Sequence, residues 1–174
     1  MNKLVGILMG SDSDLEVVAE AAKILEELEI SYEISVLSTH RAPEETANYA
    51  RRAKAKGIKV LIAAAGGAAA LPGSLASITT LPVIGIPIKS KSLDGLDSLL
   101  SISQMPPGVP VATVGINAAK NAGILAAQIL ALTNLKIAKR VENYKEKLKN
   151  EVLAKNSKLQ KLGWGKYLKE KNAK

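Results

Sequence analysis

The sequence has no cysteine, no phenylalanine and only one histidine among its 174 residues. Without cysteine there are no disulfide bonds or thiolate metal sites, and a lone histidine gives no basis for a zinc site, so we expect no metal. Without phenylalanine the core must be built mainly from Ala, Val, Ile and Leu. Hydrophobic residues make up 47% of the chain and charged residues 23%, which is enough for a well-packed core.

Long hydrophobic runs are also missing. No apolar stretch reaches the roughly 18 residues that a membrane-spanning helix needs. The apolar run at residues 4–9 is too short for the core of a signal peptide. We therefore expect a soluble, cytoplasmic protein with no membrane partner.

Positive charge is concentrated in the C-terminal segment. The chain carries a formal net charge of +8, and residues 136–174 hold 13 Lys and Arg against 4 Asp and Glu. A basic segment can bind nucleic acid, but few aromatic side chains and no arginine cluster accompany these lysines. A solvated, lysine-rich helix face is the better interpretation, and we predict no nucleic-acid partner.

Short apolar runs alternate with segments of helical periodicity through residue 132. The predicted strands are residues 4–9, 32–37, 58–65, 83–88 and 109–114. Helices are predicted to begin near Ser13, Pro43, Leu71, Gly95 and Asn117. This alternation predicts an α/β fold, a three-layer αβα sandwich whose five-stranded parallel sheet has flavodoxin-like order and helices on both faces.

The pattern changes after residue 135. Apolar residues then recur every three to four positions, at Ile137, Val141, Tyr144, Leu148 and Val152. This spacing predicts one long amphipathic helix, or two. We predict a catalytic domain at 1–135 and a basic helical extension at 136–174. Because a projecting helix needs an apolar partner surface, we also predict a homo-oligomer.

Candidate site residues follow the strands, since ligands of parallel sheets bind beyond the carboxyl ends of the strands. They are Gly10, Ser11, Asp12, Asp14, Ser38, His40, Arg41, Gly66, Gly67, Ala70 and Leu71. Lys89 and Lys91 follow the fourth strand, and the sequence leaves open whether either contacts a ligand.

His40 is the one side chain of this set that ordinarily titrates near neutrality, which suits general acid–base chemistry. Arg41 presents a donor fork suited to phosphate or carboxylate, although an ion pair with Glu44 or Glu45 is an alternative. Gly10 and Ser11 lead into a helix N-terminus, which favours an anion. A capped turn without a ligand is an alternative interpretation of the same residues.

Five segments taken together are specific. They are residues 9–14, 38–43, 65–73, 95–106 and 110–114. In this order and spacing they closely resemble the 5-(carboxyamino)imidazole ribonucleotide mutase family of purine biosynthesis, the catalytic-subunit type of phosphoribosylaminoimidazole carboxylase. The resemblance covers about residues 4–132.

This resemblance implies an octamer whose C-terminal helices pack on neighbouring subunits, and an activity that needs no cofactor. The implied reaction moves a carboxyl group from the exocyclic nitrogen of an aminoimidazole nucleotide to the adjacent ring carbon, through CO2. His40 would carry the proton, while Ser11, Asp14 and Arg41 would bind ribose and phosphate. The alanine-rich segment 63–70 would hold CO2.

The chain departs from that family at one place. The family usually reads A-H-L-P-G-M, whereas this chain has Ala70, Leu71, Pro72, Gly73 and Ser74. A second imidazole is therefore absent. Two other functions remain open from sequence: a carboxylase of the same fold that fixes free CO2 on aminoimidazole ribonucleotide, and a non-catalytic nucleotide- or nucleic-acid-binding module.

Overall fold

The computed structural model describes residues 2–172, which contain a five-stranded, fully parallel sheet. The strands are β1 (Val5–Met9), β2 (Tyr32–Val36), β3 (Val60–Ala65), β4 (Val83–Pro87) and β5 (Ala112–Thr113), in the order β2-β1-β3-β4-β5. All four strand pairs are parallel. The predicted flavodoxin-like sheet is confirmed.

Five helices connect and follow the strands. They are α1 (Leu15–Glu27), α2 (Pro43–Ala53), α3 (Ala70–Ile78), α4 (Leu96–Ser103) and α5 (Ala119–Ala131). α1 packs against α5, and α3 packs against both α2 and α4. Helices therefore cover both faces of the sheet, which confirms the predicted three-layer architecture.

The core is aliphatic, as the composition predicts. Every residue of β1, β3 and β4 is buried, because helices cover both faces of these strands. β2 lies at an edge and is partly exposed. β5 is shorter than predicted and pairs only through Ala112 and Thr113. Pro110 explains part of this shortening, since proline cannot donate a backbone hydrogen bond to a sheet.

Contacts between Cα atoms divide the chain into two compact units, with the division after residue 138. The second unit contains most of α6 (Leu135–Leu162) and all of α7 (Trp164–Asn172). Two helices rather than one form because Gly163 adopts φ +72° between them, a conformation that favours glycine. Within this unit Lys158 Nζ lies 2.7 Å from Glu170 Oε2.

Among residues 2–172, no helix has both the length and the apolar character to cross a bilayer.

Candidate active site

A cavity of about 410 Å³ opens at the carboxyl ends of β1, β2 and β3. The chain leaves β1 for β2 on one side and returns to β3 on the other, and ligands of open parallel sheets bind in the crevice at such a switch point. The cavity is lined by Gly10, Ser11, Asp14, Ser38, Thr39, His40, Arg41, Ala65, Gly66, Ala69, Ala70 and Leu71.

Backbone hydrogen bonds continue past the strand ends and set the origin of each loop. Leu37 N donates to Met9 O over 2.9 Å, and Gly10 N donates to Ala64 O over 3.4 Å. The three loops therefore begin side by side at one edge of the sheet.

The turn after β1 forms the first wall. Ser11 caps a short 3-10 helix, Asp12–Asp14, with Ser13 N donating to Ser11 Oγ over 3.4 Å. Backbone N–H groups at the start of a helix lack intrahelical acceptors, so this turn favours an anion. Burial raises the pKa of the Asp14 carboxyl above its ordinary value, and a 3.2 Å hydrogen bond from Ser13 Oγ acts in the opposite direction.

The loop after β2 forms the second wall and carries His40. This side chain is exposed and lines the cavity, so the imidazole can meet a ligand and exchange protons with it. Among residues 2–172 the imidazole makes no hydrogen bond. Its position therefore depends on the loop that carries it.

Arg41 spans the first and second walls. Its Nη2 donates to the Gly10 carbonyl oxygen over 2.6 Å, and its Nε donates to Ser38 Oγ over 3.4 Å. A guanidinium has five N–H donors, so the remaining donors are free to bind a ligand. The guanidinium is thus held beside the cavity by the β1 turn rather than by Glu44 or Glu45.

The turn after β3 forms the third wall and contains only small residues before α3. Gly67 has φ +64° and Ala69 has φ +43°. A left-handed alanine costs free energy that its surroundings must offset, and such residues occur often at functional sites. The turn lets the backbone approach a ligand without bulky side chains, and Ala70 and Leu71 complete the wall.

A side-chain hydrogen bond joins the second and third walls. Thr39 Oγ1 lies 2.7 Å from Ser74 Oγ, across 35 residues of sequence. Thr39 lines the cavity, and Ser74 lies on α3, one turn after Ala70.

The structure brings together all of the predicted site residues except Asp12 and Gly67. Asp12 is exposed and accepts a 3.3 Å hydrogen bond from Ser11 Oγ, while Gly67 shapes the turn after β3. Lys89 and Lys91 also do not line the cavity, and Lys89 Nζ lies 3.1 Å from Asp94 Oδ1.

Three lining residues, Thr39, Ala65 and Ala69, are not among the individually predicted site residues. Thr39 stands between Ser38 and His40, so its place in the loop was a usable signal. Ala65 and Ala69 belong to the alanine-rich segment 63–70, which the family resemblance implies as the place for CO2, so the segment was predicted although the individual alanines were not. Among residues 2–172, no group of three or more His, Asp or Glu side chains could hold a metal ion.

The sequence model of the AIR carboxylase family matches residues 4–151. This chain belongs to the AIR carboxylase family. An N5-carboxyaminoimidazole ribonucleotide mutase from Thermotoga maritima is 59% identical over 167 residues, covering 96% of this chain and 98% of that protein. A phosphoribosylaminoimidazole carboxylase from Candida glabrata is 52% identical over 168 residues, covering 97% of this chain but 30% of that protein.

The fold agrees with the family assignment. The crystal structure of Treponema denticola PurE is similar with a TM-score of 0.83 and 34% sequence identity, covering 90% of this chain and 98% of that one. The predicted family is therefore confirmed. As an AIR carboxylase family member, the chain presents its histidine, its arginine and a small-residue turn around one cavity at the switch point of the sheet.

Proposed function

We propose that the chain is an N5-carboxyaminoimidazole ribonucleotide mutase, an isomerase of purine biosynthesis. It converts 5-carboxyamino-1-(5-phosphoribosyl)imidazole to 5-amino-1-(5-phosphoribosyl)imidazole-4-carboxylate. The observation that carries this proposal is the exposed His40 at a cavity that is also lined by Arg41 and by the turn of small residues after β3. The mutase relative that aligns along nearly its whole length supports the same reaction.

The reaction needs one proton carrier. The His40 imidazolium donates a proton to the exocyclic nitrogen of the carbamate. The bond between that nitrogen and the carboxyl carbon breaks, its electron pair stays on nitrogen, and CO2 is released. The electron-rich ring carbon then forms a bond to CO2, and the neutral imidazole removes the proton from that carbon. His40 returns to its starting state, acting first as an acid and then as a base.

The liberated CO2 must remain beside the ring. The turn after β3 offers Gly66, Ala69 and Ala70, which leave room for a small linear molecule. Confinement raises the effective concentration of CO2 at the ring carbon. The small-residue wall therefore suits a reaction in which a fragment leaves and returns within one cavity.

We assign the ribose and phosphate to the polar part of the cavity. Arg41 and the backbone of the β1 turn supply donors for phosphate. Asp14 and Ser11 supply acceptors and a hydroxyl for the ribose. The remaining binding residues that we propose are Gly10, Ser38, Gly66, Ala70 and Leu71, which line the cavity, whereas Asp12 and Gly67 do not.

The assembly and location extend this proposal. We infer an octamer in which the extension at 136–174 packs on neighbouring subunits, and a cytoplasmic enzyme that requires no cofactor. The exposed Trp164 and Leu168 on α7 support this inference, because exposed apolar patches mark protein–protein contacts.

Two assays test the function. Purified protein is given either the carbamate nucleotide alone or aminoimidazole ribonucleotide with bicarbonate, and formation of the 4-carboxylate is followed against a reaction without protein. We expect fast conversion of the carbamate nucleotide without ATP. Preferential use of aminoimidazole ribonucleotide and CO2 would instead assign the carboxylase reaction, and binding without turnover of either would leave only a nucleotide-binding module.

His40→Asn tests the mechanism. General acid–base catalysis contributes about 10²- to 10⁴-fold, so kcat should fall by about that factor. Because His40 is exposed, stability and substrate binding should change little. A variant that retains half of the wild-type kcat would contradict the role given to His40.

A further inference from the structure

The contact between Thr39 and Ser74 connects the loop after β2, which carries His40, to α3, which follows the turn of small residues. Both side chains are half-buried, and their hydroxyl oxygens lie 2.7 Å apart. Thr39 immediately precedes His40 in the chain. Ser74 lies on α3, whose first residue, Ala70, lines the cavity.

Other hydrogen bonds hold the same loop from a different side. Arg41 Nη2 donates to the Gly10 carbonyl oxygen over 2.6 Å, which fixes the loop to the turn after β1. Ala42 N donates to Ser38 O over 2.8 Å and closes the loop on itself. Packing of α2 on α3, and of Leu37 on the core cluster that contains Leu71 and Leu75, also holds the loop near α3. The bond from Thr39 to Ser74 adds a directional contact at the residue next to His40.

This contact matters because His40 has no hydrogen bond of its own among residues 2–172. Its imidazole reaches the correct place only if the backbone of the loop is in the correct place. We propose that Ser74, through its hydrogen bond to Thr39, is a positioning residue that fixes His40 relative to the turn after β3.

The proposal rests on the proposed function, in which one imidazole must reach two atoms of the substrate in turn. A proton carrier that serves two atoms depends strongly on geometry, because small displacements reduce the fraction of productive orientations. Loss of this hydrogen bond should therefore reduce kcat more than it changes substrate binding, because Ser11 lies on the turn after β1 and Arg41 Nη2 donates to the Gly10 carbonyl oxygen of that turn.

The kinetic test uses Ser74→Ala, Thr39→Val and the double variant. Ser77→Ala is the matched control, because Ser77 is an exposed serine on the same helix whose hydroxyl donates to the Ser74 carbonyl oxygen over 2.8 Å. Each single variant should lower kcat by about 3- to 10-fold, the range expected when one hydrogen bond is lost. KM should stay within about twofold, and the double variant should lose no more than the worse single variant.

Rescue by a conservative change completes the kinetic series. Ser74→Thr keeps the hydroxyl and should retain most of the wild-type kcat. Effects that multiply in the double variant, a change confined to KM, or an equal loss in Ser77→Ala would each overturn the positioning role.

A second measurement separates this proposal from the proposed function. The chain has a single histidine, so NMR of the ligand-free protein gives imidazole signals from His40 alone. Ser74→Ala and Thr39→Val should shift these signals in the same direction, and Ser77→Ala should leave them in place. Unchanged signals would overturn the positioning role even in an active enzyme. An inactive wild-type protein whose signals shift as expected would refute the function and retain the positioning.

Discussion

Replacing Arg41 with alanine removes the one guanidinium that borders the cavity from the loop after β2. In the structure this group is exposed, and it donates to the Gly10 carbonyl oxygen over 2.6 Å and to Ser38 Oγ over 3.4 Å. Two of its five N–H groups are thus used within the protein, and the others are available to a phosphate. Arg41→Ala therefore removes the hydrogen bonds that join two loops and, under the proposed function, a contact with the substrate phosphate.

The two losses differ in size. The internal hydrogen bonds are exposed to water, so their loss should lower the free energy of unfolding by less than about 1 kcal/mol. A charge-assisted hydrogen bond to phosphate contributes about 1.5–3 kcal/mol. The Kd for the nucleotide should therefore rise by about 10- to 150-fold at low ionic strength, and less when salt screens the phosphate.

Isothermal titration with aminoimidazole ribonucleotide measures this change directly, and denaturant unfolding measures stability in parallel. Arg51→Ala is the matched control, since Arg51 is exposed on α2 and contacts Asn48 outside the cavity. Arg41→Lys keeps the charge but loses the fork, so its Kd should lie between those of wild type and Arg41→Ala. An unchanged Kd in Arg41→Ala would show that the phosphate binds elsewhere and would refute this reasoning.

Two further predictions concern Asp14 and Gly123. Burial raises the pKa of Asp14 in the folded protein, so the folded state holds this proton more tightly than the unfolded state. The contribution of Asp14 to the free energy of unfolding therefore falls as the pH rises through the carboxyl range. Asp14→Asn should remove that fall in the free energy of unfolding, which urea unfolding from pH 3.5 to 7 would detect, and it should weaken nucleotide binding. If the free energy of unfolding of both proteins changed with pH in the same way, this expectation would be contradicted. Gly123→Ala should lower the melting temperature by a few degrees, because overpacking destabilises a core. The added Cβ would overlap the Ile24 side chain and lie 3.0 Å from the Ala21 carbonyl oxygen, at the contact between α1 and α5. An unchanged melting temperature in that variant would show that the two helices separate at little cost.

Much of the fold follows from local pattern. Runs of apolar residues at 4–9, 58–65 and 83–88 indicate strands, because a strand that is buried on both faces has apolar side chains on both faces. Pro43 with Glu44 and Glu45 marks the start of α2, since proline and acids suit the first helical turn. The prediction was weakest at β5, where apolar residues continue through 109–114 but only Ala112 and Thr113 pair.

The candidate site was predictable to a similar depth. Placing candidate ligand residues after the strands brought His40 and Arg41 to the edge where the cavity opens, because the carboxyl ends of parallel strands lie on the same side. It also included Asp12 and Gly67, which do not line the cavity. Both follow a strand, but a position in the chain does not fix the direction in which a side chain or a turn faces.

By itself the sequence determined the strand–helix alternation, the aliphatic core, the lone imidazole and the basic C-terminal segment. These depend on residue type and short-range spacing. Only the tertiary structure decided that Arg41 donates to Gly10, that Ala69 is left-handed and that Thr39 meets Ser74. Such contacts depend on the angles at which loops leave the sheet, which are set by packing between segments distant in the chain.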